Sequence, residues 1–189
     1  MIEFIRTNYP SIELDDNISS DLASRTLTHR VAGRHRFLQP HHIQQSIFFI
    51  RTGVIRSYSL KRGLEFTDWI FSTGDIMLDT MSFFLEKEAG LFLETTSSSV
   101  VFEIQKKDFQ YLYEKYSIFK EIIDHSLFEL DKRKKEHTHD LSVLTGFERY
   151  QKFMTFQAHL DGNIQGNHLA PYLGVTADHL TKIKKLFSS

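Results

Sequence analysis

The sequence predicts an α+β chain. Its N-terminal part reads as an antiparallel β-roll (a double-stranded β-helix or jelly roll) with flanking helices; a long helix follows, then an all-α C-terminal helix-turn-helix unit. Three observations carry this. Between Arg34 and Ile104, short strand-like segments recur at roughly ten-residue spacing with turn signals between them. From Ser117 to about Leu144 a helical apolar stripe runs without Pro or Gly. From His168 to Phe187, HLAPYLGVTADHLTKIKKLF sets its apolar residues and one glycine at the offsets of two short helices joined by a tight turn.

The expected boundaries are 1–116 for the roll, 117–144 for the long helix and 145–189 for the C-terminal unit. Residues 1 to 30 are expected to be helical, from Ile2, Ile5, Ile12, Leu14, Ile18, Leu22 and Leu27 among polar neighbours. Ile47 to Ile50 then gives way to the turn Arg51-Thr52-Gly53 and the strand Val54 to Tyr58. Lys61-Arg62-Gly63 precedes Leu64 to Phe71, and Leu91 to Leu93 and Val100 to Ile104 resume the strands. Between them, FSTGDIMLDTMSFFLEKEAGLFLETT (Phe71 to Thr96) breaks the strand texture. Lys106 to Tyr116 reads as a short helix. The long helix, some 28 residues, would span roughly 42 Å. Phe119, Ile122, Ile123, Leu127 and Leu130 form the stripe of its first half, and DKRKKEHTHD is polar all round. Self-pairing across a homodimer is the favoured use of that stripe; packing onto the roll is the alternative.

Composition narrows the function. The 189 residues, 41% hydrophobic, can bury a real core. No cysteine is present, which excludes disulfides, Cys-ligated zinc, Fe–S clusters and thiol catalysis. The longest apolar runs are too short to span a membrane, and MIEFIRTNYP lacks the organisation of a secretory leader. A cytoplasmic protein with no membrane partner is expected. Met1 to Asp131 carries 14 Lys and Arg against 19 Asp and Glu, whereas Lys132 to Ser189 carries 9 against 5. The basic tail is suited to a polyanion.

In the C-terminal segment, Leu169, Ala170 and Leu173 form the inner side of a first helix, with Ala170 small where the helices cross. Gly174 occupies the turn, Val175 plugs the interhelical angle, Thr176 caps the second helix, and Leu180 and Ile183 face inward. Thr176, Ala177, His179, Thr181, Lys182 and Lys185 then point outward. A helix placed in the major groove reads bases with its N-terminal half and anchors to phosphates elsewhere. Lys182 can reach guanine O6 and N7; Lys184 and Lys185 suit phosphates. Asp178 favours the helix start but opposes a phosphate surface. Pro171 is expected within the first turn of its helix. Double-stranded DNA is the expected partner.

The order of these parts resembles the Crp/Fnr family of bacterial transcription regulators, most closely the short forms common in Bacteroidetes. The resemblance covers nearly the whole chain. It rests on FFIRTGVIRSYSL, the Gly74-Asp75 turn, ERYQKF (Glu148 to Phe153) and LAPYLGVTADHLTKIKK. It implies a cyclic-nucleotide-binding-like sensor roll, dimerisation through the long helix, and two recognition helices in successive major grooves. Short-form relatives commonly read Ser-Arg where this chain has Thr181-Lys182. With a short loop before the helix-turn-helix and Ser189 as the last residue, a minimal helical unit without hairpin wings is expected.

The resemblance also implies a phosphate-binding cassette starting at Gly74-Asp75. Its Gly-Glu pair falls on Leu78-Asp79 and its Arg-Ser pair on Ala89-Gly90. Asp79 is a partial match, while Leu78 and Ala89 remove close backbone approach and the neutralising cation. The cassette position is therefore read as degenerate, with Met77, Phe83, Phe84 and Phe92 available to fill it. Any effector is then an unidentified small molecule other than cAMP or cGMP.

No catalytic residues, metal site or cofactor are expected. His41-His42 and His137/His139 lack i, i+4 spacing, and a cupin-like metalloenzyme would need a His-x-His pattern on its strands. A degenerate structural or partner-binding dimer without specific DNA binding is the principal alternative to a DNA-binding regulator.

Overall fold

The computed structural model describes residues 1–187. Helices α1 (Ile2–Asn8) and α2 (Asp16–Arg25) open the chain; Asp15 caps α2 by accepting from the Ile18 N–H at 3.0 Å. Helix gives way to strand earlier than the sequence suggests. Residues Leu27–Val31 form β1, paired antiparallel with β8 (Ser99–Gln105) from Leu27↔Glu103 to Val31↔Ser99. A long-range partner overrides the local pattern here, since strand preference is decided largely by cross-strand neighbours.

The remaining strands are β2 (Arg36–Leu38), β3 (Ser46–Thr52), β4 (Val54–Lys61), β5 (Leu64–Ser72), β6 (Ile76–Met77) and β7 (Phe92–Thr95). They form two four-stranded sheets, ordered β1-β8-β3-β6 and β2-β7-β4-β5, with antiparallel pairing throughout. The β3–β4 turn needs glycine. Gly53 has φ 115°, and a Cβ there would lie 2.1 Å from Ser99 Oγ.

Strand β3 is buried on both sides, which explains why its core reads IFFI instead of alternating. Ile47 and Phe49 join Phe4, Ile5, Ile18 and Leu22 under the helices. Phe48 and Ile50 join Ile55, Phe71, Leu93 and Val101 between the sheets. Helix α3 (Thr80–Leu85) interrupts the roll, and α4 (Lys106–Lys115) leads into α5 (Ser117–Val143), 27 residues or about 40 Å long.

The apolar stripe of α5 is spent within its own chain. Phe119, Ile122 and Ile123 are fully buried in the cluster under the helices, Leu127 packs against that cluster half-buried, and Leu130 is buried in the second cluster. The packing alternative therefore describes these five residues, because the roll offers an apolar surface at the same helical spacing.

The second cluster does not stop at the roll. It continues through Leu130 into Tyr150, Phe153, Leu169, Leu173, Leu180 and Ile183 of the C-terminal helices. One apolar body thus crosses both expected boundaries.

A buried charge network ties β2, β4, β5 and β7 together. The Arg56 guanidinium, 2% exposed, donates to Glu94 at 2.9 Å and Glu65 at 2.5 Å and lies over the Tyr58 ring. Arg36 donates to the other Glu94 oxygen at 3.0 Å. Burial pushes the Glu94 carboxyl up, but the hydrogen bonds from Arg56 and Arg36 outweigh it and hold the group below its ordinary value. Removing one member of a buried pair strands the other charge. Glu94→Gln is accordingly expected to cost about 3 kcal/mol of unfolding free energy in urea titrations, and a change under about 0.5 kcal/mol would show that solvent, not Glu94, neutralises Arg56.

Candidate nucleic-acid interface

The C-terminal unit is a three-helix assembly. Helix α6 (Gly146–Gln157) begins with a capping box: the Thr145 hydroxyl accepts from the Glu148 N–H, and Glu148 accepts from the Thr145 N–H at 2.7 Å. A 3₁₀ turn (Ala158–Leu160) leads towards α7 (Gly166–Tyr172), and α8 (Ala177–Phe187) follows the turn.

The α7–α8 turn is a Schellman motif. The Val175 N–H donates to Ala170 O and the Gly174 N–H to Pro171 O, both at 3.0 Å, with Gly174 at φ 64°. Thr176 caps α8 by accepting from the His179 N–H at 3.2 Å. Leu169, Ala170, Leu173, Leu180 and Ile183 are buried and Val175 is half-buried, as the spacing predicts. Pro171 departs from expectation: it is the sixth residue of the seven-residue α7. The bond it forfeits is the one to Asn167 O. Asn167 is exposed in the first turn, where water can serve that carbonyl.

Arg149 holds this arrangement to the rest of the molecule. Its Nε donates to Leu173 O at 2.7 Å and its Nη2 to Gly174 O at 3.3 Å. Its Nη1 donates to Leu144 O and, at 3.3 Å, to Leu141 O. One guanidinium thus satisfies carbonyls at the C-terminal ends of both α5 and α7. The segment ERYQKF pointed to this region, but a long-range role for one arginine leaves no periodic mark.

Helix α8 presents Thr176, Ala177, Asp178, His179, Thr181, Lys182 and Lys185 to solvent. The Thr181 hydroxyl donates back to Ala177 O at 3.0 Å, leaving its lone pairs outward. Lys184 does not join them. It is half-buried and bonded to Asp161 at 2.6 Å, over the Tyr150 ring, so it braces the unit from within. The i+4 step from Leu180 carries position 184 towards the inner side.

The unit is docked on the roll: α7 lies along β5. Tyr172 stacks on His137 of α5, with centroids 4.2 Å apart, and meets Trp69 of β5 edge-on at 6.0 Å. Burial pushes the Tyr172 phenol up to about 12 and lowers His137, so the histidine in this stack is neutral near pH 7. His168 Nε2 lies 3.6 Å from Glu65.

Residues of the cassette position make contacts within the chain. Gly74 makes the turn at φ 95°, and Asp75 accepts from the Ser72 N–H at 2.8 Å and from Arg133 of α5 at 2.7 Å. Asp79 caps α3, accepting from Met81 N and Ser82 N. Leu78, Ala89, Met77 and Phe83 are buried; Gly90 and Phe84 are exposed, and Phe92 stacks on Tyr58. Among the described residues, no group of three or more His, Cys, Asp or Glu is placed to hold a metal, and no helix is long and apolar enough to cross a membrane.

No family model matches the sequence, and neither does any curated protein. Solved structures do match in shape. FixK2 from Bradyrhizobium japonicum superposes with a TM-score of 0.72 at 14% identity, over 86% of this chain and 84% of that one. A CooA mutant from Carboxydothermus hydrogenoformans gives 0.69 at 17% identity, over 94% and 81%. A Crp/Fnr family transcriptional regulator from Eubacterium rectale gives 0.72 at 13% identity, over 93% and 84%. The fold is that of the Crp/Fnr regulators. The Crp/Fnr architecture is shared across most of the chain.

Arg149→Ala would leave four carbonyls without their charged donor, and Gly174→Ala would force an alanine into φ 64° with its Cβ 2.8 Å from Leu141 Cδ2. Losses of about 2–3 kcal/mol for the first and about 1–2 kcal/mol for the second are expected in thermal unfolding. Arg149→Lys should recover less than half of the first, since an ammonium cannot fork; full recovery would mean that charge alone suffices.

Proposed function

We infer that the protein is a non-enzymatic, DNA-binding transcription regulator of the Crp/Fnr type, acting as a homodimer and not using cAMP or cGMP as its effector. The observation that carries this reading is the second helix of the helix-turn-helix. It is capped by Thr176, held from behind by Leu180 and Ile183, and exposes Thr176, His179, Thr181, Lys182 and Lys185 together on a regulator fold. Such a face offers donors to base edges near the helix start and cations to phosphates beyond it. Lys182 is assigned a base-edge contact and Lys185 a phosphate contact; Lys184 serves through Asp161.

The cyclic-nucleotide cassette is read as degenerate because its key places are already engaged. Asp79 is a helix cap, Leu78 and Ala89 are core, and Arg133, which reaches the Gly74-Asp75 turn, is paired with Asp75. An entering phosphate would have to compete with Asp75 for Arg133.

A gel shift on genomic promoter fragments at moderate salt tests the reading. Sequence-selective binding is expected, weakened by about 1–3 kcal/mol in Lys182→Ala, with a shallower salt dependence in Lys185→Ala and no change on adding cAMP. Weak binding without sequence preference would instead support a partner-binding dimer, a reading favoured by exposed Asp178 and the inward turn of Lys184.

The dimer contact is assigned to the outward side of α5, where Phe128 is 65% exposed amid polar residues. Sedimentation equilibrium should give a dimer for the unmodified chain and a monomer for Phe128→Glu. A wild-type monomer at tens of micromolar would sink the homodimer.

A further inference from the structure

Helix α7 seats the helix-turn-helix on the roll, and a histidine stands at each of its ends. His168 is its third residue, and His137 of α5 stacks on Tyr172, its last. Of the ten histidines in the sequence, seven are exposed and His29 is held by Glu103 at 2.6 Å. His137 and His168 are the two that are withdrawn from solvent and, among the described residues, lack a carboxylate within hydrogen-bonding distance.

Both surroundings disfavour a proton. The His168 side chain is 15% exposed, and its Nδ1 is buried without a partner among the described residues. Protonation makes both ring nitrogens donors, so a proton at Nδ1 would have no acceptor. Its Nε2 lies 3.6 Å from Glu65, but that carboxylate already accepts from Arg56 at 2.5 Å. Glu94 is bound by Arg56 and Arg36, and Arg34 adds a further positive charge. Around His137, the cleft beside Trp69 is lined by Arg133, Glu136, Asp140, Arg149 and Lys152. Asp140 favours the proton but is engaged by Lys152 at 2.5 Å. The Tyr172 backbone and ring face favour it too. Burial, Arg149 and Lys152 oppose it, and the opposition prevails. The apolar cluster under the N-terminal helices contains neither histidine nor any residue of α6, α7 or α8. That core can stand while the seating of α7 fails.

We propose that α7 is a proton-sensitive latch: when His137 and His168 take up protons, the helix-turn-helix leaves β5 while the roll stays folded. Burial, first among the causes, holds both rings below the ordinary histidine value of 6.5. The undocked rings bind protons more readily, so the latch holds above that value and opens as the pH falls through the window beneath it. One consequence rests on the DNA-binding reading: opening frees α8 from its fixed placement relative to α5 and lowers operator affinity. The latch itself does not rest on that reading.

Trp69 is the single tryptophan of the sequence and meets both His137 and Tyr172 edge-on, so its emission reports on the seam. The full chain is titrated from about pH 8 to about pH 5, with Trp69 emission and far-ultraviolet circular dichroism followed together. A reversible red shift at unchanged helicity is expected, and it should be absent in the double variant His137→Phe, His168→Gln. In the unmodified chain, magnetic resonance of the histidine rings should show two of them titrating together with the red shift, a readout that needs no variant to fold. An emission maximum that does not move, quenched or not, shows that no release occurs and overturns the proposal. Helix loss accompanying the shift, a shift that persists in the folded double variant, or ring titration that does not coincide with it overturns it equally. A gel shift across the same range reads the consequence separately, with affinity expected to fall at least about tenfold. An unmoved affinity alongside the red shift removes the consequence and leaves the latch, whereas absence of DNA binding at every pH counts against the functional reading alone.

Discussion

The geometry of the C-terminal half depends on the Arg149 guanidinium. A helix ends with carbonyls that its own backbone cannot satisfy, and here two helices, α5 and α7, end close together. A planar cation with five donors can serve both at once. By bonding to Leu141 and Leu144 on one side and to Leu173 and Gly174 on the other, Arg149 sets where α7 stops relative to the end of α5. The Schellman turn at Gly174 then sets the direction in which α8 leaves. The outward face of α8 is therefore positioned relative to the long helix by one side chain, with Leu180 and Ile183 supplying the packing that makes the position stable.

The second constraint is the seam between the roll and these helices. Trp69, His137 and Tyr172 come from β5, α5 and α7 and meet as one aromatic group. A charged imidazole would be costly there, which is why burial lowers the His137 pKa. In the window between that lowered pKa and the ordinary histidine value, the unfolded chain binds more protons than the folded one. The contribution of this seam is thus fully present above the ordinary value and declines as the pH falls through the window. His168, lowered by burial and then by Arg56, acts in the same direction at the other end of α7.

Much of this was legible in the sequence because periodicity records local rules. The ends of α4 and α5, the turn at Gly174, the cap at Thr176 and the buried set Leu169, Ala170, Leu173, Leu180 and Ile183 all follow from spacing and from residues with a fixed conformational role. What escaped was non-local. Leu27 to Val31 reads like the tail of a helix until β8 is beside it. The stripe Phe119 to Leu130 announces an apolar partner without saying whose, and the partner is the chain's own roll. Lys184 looks like its neighbours until Asp161, 23 positions earlier, is found next to it. Nothing in the spacing marks Arg56 as buried, although it is the largest fully buried side chain among the described residues.

The bond between Asp75 and Arg133 joins the roll to the long helix. Asp75 belongs to the turn that opens the cassette position, and Arg133 belongs both to α5 and to the lining of the cleft beside Trp69. Without that bond the Asp75 carboxylate, only 10% exposed, would lose its cationic partner. The ion pair thus fastens the Gly74-Asp75 turn of the roll to the long helix.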